Sequence, residues 1–352
     1  MKKYRIKDIA ALSGVSTGTV DRIIHKRGKV SEEARKKVEK VLKEIDYHPN
    51  LIARSLASKK VFRLAVLIPS FLPGEYWEDV KTGINQAGNE FSIYNVVIEY
   101  HSFDQYDVHS YNRVLNKLKI NPDYQGYILP TLFQEETIDF TRELDKHTLP
   151  YVLIDAYIEN TNLLAYYGTH SYDSGFIAGK LMYEGLTDRD EAVMFMYQKQ
   201  GMKPSTQVIN RQEGFKNYLS AQSVKHKLHA VTIYSDNEEG NKQILSDFFK
   251  AHPQVKGGII FNSRVHLIAS YLKDMSMNDL MLIGYDATEA NIAELNEGVV
   301  GYIITQRPEV QGYNSVKALF RFLALEEKNE KLNFMPIDIL IKENVKYYNN
   351  YI

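Results

Sequence analysis

Nine short apolar runs, each followed by a longer stretch of helical spacing, fill the chain from Arg63 onward and restrict its fold more than any other feature. They read LAVLIP, YNVVIEY, GYILP, YVLID, AVMFMY, HAVTIYS, GGIIF, LMLIGYD and VGYIITQ, with helical periodicity between them, as in Trp77 to Phe91 and Glu309 to Glu327. Strands that are apolar throughout rather than alternating are buried on both faces, the condition of a parallel sheet covered by helices. Nine strands exceed one comfortable sheet, so two linked doubly wound units are expected. Ligands in such α/β folds bind beyond the carboxyl ends of the strands.

The residues at those ends form a consistent set. The loop PSFLPGEYW, with Phe71, Tyr76 and Trp77, follows the first run. Asp155 follows YVLI, Asn262 follows GGIIF, Asp286 follows LMLIGY and Gln306 follows VGYIIT, while Arg211 lies near the start of a helix reading INRQEGF. Asp and Asn accept from or bridge vicinal hydroxyls, Arg presents a planar fork of donors, and an aromatic ring covers an apolar sugar face. This is polyol recognition, which calls for no cofactor, metal or catalytic group. Taken singly, each strand-end Asp or Asn is as readily a helix cap. The repetition at equivalent positions favours ligand contact.

Ahead of Arg63 the pattern differs. Ile6, Ile9 and Ala10, then Val20, Ile23 and Ile24, give two short helices an apolar face each, on either side of Gly14-Val15-Ser16. Gly14 suits the positive φ of a tight turn, and Ser16 caps a second helix toward His25. Ser31 caps a third, whose Ala34, Val38, Val41, Leu42 and Ile45 close a three-helix core. After Pro49, Asn50 opens LIARSLASKK, a helix too short to be stable alone. An ordinary helical hairpin is the plain alternative to a helix-turn-helix, and charge bears on the choice. Residues 1–60 hold 16 Lys and Arg against 7 Asp and Glu, and the remainder 27 against 37. A basic head on an acidic body favours a polyanion as the head's partner.

Other chemistry is poorly represented. With no cysteine there are no disulfides, thiolate metal sites or Cys nucleophiles. There is no GxxxxGK[ST] loop, GxSxG elbow or HExxH. His226 and His229, three apart in a Lys-rich stretch, read as a solvated helix end rather than a metal site. No stretch has the length of a signal-peptide core or a membrane span, so a soluble, cytoplasmic protein is expected.

The pieces KDIAALSGVSTGTV, VSEEAR and YHPNLIARSLA resemble the DNA-binding head of the lactose-repressor (LacI) family of bacterial transcription regulators. LPYVLID, RQEGF, IGYDATE and ITQRPEVQGYNSV are similar to ligand-contacting segments of the periplasmic sugar-binding fold shared by that family, closest to ribose-type binders. The resemblance implies an α/β chain with a helix-turn-helix head over 1–49 and a hinge helix over 50–60. Two parallel-sheet subdomains would follow, 61–168 with 308–328 and 169–307 with 329–352. The chain would cross between them near Gly168, Gln306 and Lys328. Ser16, Thr17, Thr19, Arg22, Lys26, Arg27, Asn50 and Arg54 would meet double-stranded operator DNA, and Leu56 would wedge into its minor groove. Phe71, Tyr76, Trp77, Asp155, Arg211, Asn262, Asp286 and Gln306 would hold a small sugar-like effector. A homodimer is implied, and no membrane.

The chain departs from the pattern of the family it resembles in places. Thr17-Gly18 stands where longer base-reading side chains are common, leaving direct readout to Thr17 and Arg22. Asp21 replaces a small hydroxyl residue, and Asn262 is followed by Ser263-Arg264 where an acidic residue is common. Arg264 either admits an acidic sugar or faces solvent. The favoured reading is a ligand-responsive repressor of carbohydrate genes. The alternative is a sugar-binding protein or sugar-modifying enzyme with a helical appendage.

Overall fold

The computed structural model describes residues 4–24, 28–45, 60–118, 121, 123–202, 204–277 and 279–351, the last three by backbone alone. The chain divides into two compact units, Met1–Ser58 and Lys59–Ile352.

The first unit holds helices Ile6–Ser13, Thr17–Ile24 and Glu32–Glu44 around Ile9, Ala10, Val20, Ile23, Val38 and Val41. Gly14 takes φ 68°, the left-handed turn expected of it. Ser16 Oγ accepts the Thr19 amide at 3.2 Å and Ser31 Oγ that of Ala34 at 3.3 Å, so both caps form. Lys26, Arg27, Asn50, Arg54 and Leu56, and with them the expected hinge helix, lie outside the described residues.

The second unit contains two six-stranded sheets. The first uses β1 (Phe62–Pro69), β2 (Val96–Phe103), β3 (Gly126–Pro130), β4 (Tyr151–Ile154) and β5 (Ala165–Gly168). The second uses β6 (Glu191–Gln198), β7 (Leu228–Tyr234), β8 (Val255–Ile260), β9 (Met281–Tyr285) and β10 (Val300–Thr305). Two short strands complete them, β11 (Leu332–Phe334) in the first and β12 (Asp338–Leu340) in the second. Their orders are β11-β5-β4-β3-β1-β2 and β12-β10-β9-β8-β6-β7, the same doubly wound topology twice. All pairs are parallel except β10 with β12. All nine apolar runs are strands. β5, β11 and β12 have three or four residues and no apolar run to mark them.

One boundary moves. The last crossing was expected near Lys328, yet β11 adds in parallel to the first sheet, Asn333 opposite Tyr167. The chain therefore returns to the second sheet only between Phe334 and Asp338.

Each sheet carries a pair of helices in unusually close contact. In the first, Tyr76–Phe91 crosses Pro308–Leu325 where a Cβ on Gly83 would sit 1.9 Å from the Glu309 carbonyl oxygen, and one on Gly312 2.1 Å from that of Val80. In the second, Ser171–Gly185 crosses Thr206–Ala221 with Gly175 and Gly214 in the same relation to the oxygens of Arg211 and Tyr172, at 1.9 and 2.0 Å. These backbone contacts fix the helices that carry Tyr76, Trp77 and Arg211 into the cleft.

Candidate functional site

Asp155 and Asp286 are the first residues beyond β4 and β9, and both adopt left-handed backbone, φ 84° and 66°. Such a conformation costs a non-glycine residue on the order of 1–3 kcal/mol and collects at binding sites, although Asp tolerates it better than most. Surrounding bonds hold it. The Asp155 carbonyl accepts Tyr166 Oη at 3.1 Å. At Asp286 the amide donates to Ile304 O at 2.9 Å and the carbonyl accepts Asn291 Nδ2 at 2.8 Å. Each of the two residues is only 6% exposed.

Arg211 is the largest fully buried side chain among the described residues, at 1% exposure. Its helix begins at Thr206 with Ser205 as cap, so Arg211 belongs to the second turn rather than the start. One guanidinium nitrogen donates to Phe261 O at 2.9 Å, and the group lies over the Tyr285 ring, 4.0 Å from its centroid. Arg211 Nε is buried with no partner, and such a donor in a native fold calls for a ligand or water. Gln306 Nε2 donates to Asp286 Oδ1 at 2.9 Å. Gln207, one turn before Arg211 on the same face, reaches across to Asp155 Oδ1 at 2.7 Å.

These groups open into a cavity of about 930 Å³, ample for a monosaccharide. Tyr76, Trp77, Asp155, Arg211, Asn262, Asp286 and Gln306 all line it, so seven of the eight residues singled out in the sequence are brought together. Phe71 is not among them; it lies under Lys81, whose Nζ is 5.7 Å from its ring. Tyr76 and Trp77 meet edge to face at 5.1 Å, and Phe195 and Phe261 add apolar wall from the second sheet. Gln207, Phe195 and Phe261 escaped the sequence reading. Spacing of four from Arg211 was the available signal for Gln207, and position just beyond β8 for Phe261, whereas Phe195 lies inside β6 and carried no such signal.

Arg264 neither faces solvent nor stands as a spare charge. It lines the cavity and reaches Glu75 Oε1 across it at 2.7 Å, with side chains 21% and 17% exposed. Asn262 Oδ1 accepts the Arg264 amide at 3.1 Å and holds this loop. Thr206 Oγ1 donates to Gln134 Oε1, a second polar bridge between the two sheets' loops.

The electrostatics follow from burial. Desolvation pushes the Asp155 carboxyl up to about 7, against the pull of Arg211 and with the repulsion of Asp286. Asp286 is raised too, burial again outweighing Arg211 and the Gln306 hydrogen bond. Tyr76 is raised well above its ordinary value by burial and then by both carboxylates. An arrangement of two carboxyls, one unsatisfied guanidinium nitrogen and aromatic walls accepts and donates to hydroxyls. It contains no nucleophile paired with a base.

In the first unit, Ser16, Thr17, Gly18 and Arg22 are exposed on one side of helix Thr17–Ile24, whose Val20 and Ile23 are buried. Ser16 Oγ and Thr19 Oγ1 share a hydrogen bond of 2.9 Å. Absence of a side chain at Gly18 leaves room beside Arg22, whose guanidinium nitrogen passes 3.7 Å from where a Cβ would be.

Comparison with known proteins agrees for both units. Residues 65–328 match the periplasmic binding protein domain, and residues 5–50 the bacterial regulatory proteins of the lacI family. A crystal structure from Bacteroides fragilis, assigned as a LacI transcriptional regulator, is 34% identical and covers 82% of this chain and all of its own, with a TM-score of 0.78. The ribose operon repressor of Halalkalibacterium halodurans is 26% identical over 80% of both chains. A Burkholderia graminis transporter solute-binding protein in complex with D-arabinose shares the fold, at 17% identity, 83% and 99% coverage and a TM-score of 0.72. Among the described residues no helix is long and apolar enough to cross a membrane. A helix-turn-helix head and a periplasmic-binding-protein body make this chain a member of the lacI family of bacterial transcription regulators.

Proposed function

We propose that the chain is a cytoplasmic, homodimeric, non-enzymatic repressor whose affinity for operator DNA is set by a neutral monosaccharide held between Asp155, Arg211 and Asp286. The observation that carries the ligand class is the buried Arg211 Nε without a partner, beside two carboxyls in a cavity of sugar size. Hydroxyls of a pyranose or furanose satisfy all three, and Trp77 with Phe195 covers the apolar ring face. Pairing of Arg264 with Glu75 occupies the cation that would otherwise be offered to an acidic sugar, which favours a neutral one. The ribose operon repressor and the D-arabinose complex among its relatives are in keeping with that class.

Arg22 is assigned to a base edge, and Ser16, Thr17 and Thr19 to the opening of the same helix in the major groove, as in other helix-turn-helix proteins. Two heads, one per copy, would read a palindromic site. Thermal shift across neutral sugars, sugar acids and sugar phosphates tests the ligand class, since a ligand at 100 times its dissociation constant stabilises by about 2.7 kcal/mol. A shift with a neutral pentose or hexose is expected. A shift with sugar acids alone would overturn the assignment of Arg264.

A further inference from the structure

At the amino-terminal ends of the second sheet, the end opposite the cleft, three potential metal ligands converge. Glu191 opens β6, His229 lies in β7, and His252 follows helix Glu238–Ala251. Their ligand-capable atoms all lie within 4.8 Å of one another, and among the described residues no other three His, Asp or Glu side chains meet so closely. His229 Nε2 is 2.6 Å from Glu191 Oε2, and the two imidazole centroids are 4.2 Å apart. The sequence paired His229 with His226 instead. In the fold His226 is not at a solvated helix end; it directs Nδ1 to Asp190 O at 2.9 Å and packs on Tyr183.

The backbone around the three residues is pinned. Glu191 N donates to Gln254 O at 2.9 Å, Ala192 N to Lys227 O at 2.9 Å, and His252 N to Phe248 O at 3.0 Å. The Phe248 ring packs on both imidazoles, at 5.5 and 4.8 Å between centroids, which limits their rotation. His229 and Glu191 are partly withdrawn from water, with side chains 12% and 20% exposed.

We propose that Glu191, His229 and His252 form a site for a divalent transition metal of the zinc type. Two imidazole nitrogens and one carboxylate oxygen, with no thiolate, are a borderline donor set that suits zinc and leaves a fourth position for water. Bonds of about 2 Å in tetrahedral geometry set ligand atoms roughly 3.3 Å apart. The His229–Glu191 pair therefore opens by less than an ångström as its shared proton leaves the metal-facing atoms, and His252, within 4.8 Å of both, closes by up to about 1.5 Å. Lys227, whose Nζ is 3.7 Å from Glu191 Oε1, competes for the carboxylate, but its side chain is 63% exposed and free to swing away. Imidazole nitrogens and carboxylates bind metal only when unprotonated, so zinc affinity weakens on acidification. The metal would tie the starts of β6 and β7 to the end of a surface helix, without entering the sugar cleft.

Titration of the full chain with ZnCl2 by calorimetry, and with CoCl2 by visible absorption, tests the site. One equivalent per chain is expected, with a cobalt d–d band, and zinc should raise the melting temperature. His252→Gln and Glu191→Gln should each weaken zinc on the order of tenfold or more and remove the thermal shift, whereas His226→Gln should change neither. Glu191→Gln retains a hydrogen-bond partner for His229, so its loss of zinc cannot be put down to misfolding. Absence of saturable binding, or binding that survives His252→Gln and Glu191→Gln, would overturn the proposal and leave an ordinary histidine–carboxylate pair.

Discussion

Asp155 and Asp286 were legible in the sequence because an apolar run that stops at a carboxylate places that carboxylate at a strand's carboxyl end. Arg264 was not, since its partner Glu75 lies on the other sheet's loops and only the fold joins them. Removal of Arg211 or Asp286 as alanine should cost about 2–4 kcal/mol of sugar binding, a factor of roughly 30 to 1,000, because the ligand's hydroxyls stay unpaired in a desolvated cleft. Calorimetric titration reads this; lowered stability with unchanged affinity would make both residues structural. Asp155 supplies a pH dependence. Its folded carboxyl holds a proton up to about 7 against a reference value of 3.8. Between those values the unfolded chain binds fewer protons than the folded one. The contribution of Asp155 to the stability of the free protein should therefore fall as pH rises from about 4 to about 7 and level off above, and Asp155→Asn should lessen that slope in urea melts, leaving the share of the likewise raised Asp79 and Asp286. Glu75→Gln should release Arg264 toward the ligand and raise affinity for a sugar acid such as glucuronate relative to glucose.

At the scale of elements, the nine buried strands were readable and the three shortest were not, for a three-residue strand such as β11 has no periodicity to detect and exists through its neighbour. Close helix crossings were hidden for a related reason: Gly175 and Gly214 matter through backbone atoms that come near only in the folded unit. Gly214→Ala places a Cβ about 2 Å from the Tyr172 carbonyl, so the helix bearing Arg211 must move. A loss of about 1–3 kcal/mol of stability in denaturant melts is expected, together with weaker sugar binding. In the head, Ser16→Ala removes the acceptor for the Thr19 amide and should cost about 1 kcal/mol of stability.

For the whole molecule, the repeated sheet topology and the basic head on an acidic body were both foreshadowed by the chain's pattern and charge. The last crossing between sheets was misplaced because β11 belongs to the first sheet by pairing rather than by composition. The proposed function requires that sugar in the cleft alter the affinity of the head for DNA. Such coupling between two distinct sites is typically about 1–3 kcal/mol, or roughly 5- to 150-fold in affinity. The most direct test is fluorescence anisotropy of the full chain on a duplex selected from a random library, with and without the sugar found by thermal shift, for wild type and Arg211→Ala. Sugar should change wild-type DNA affinity by at least about fivefold and leave that of Arg211→Ala unchanged, with equal affinities in its absence. Wild-type DNA affinity indifferent to a sugar that demonstrably fills the cleft would contradict the proposed function.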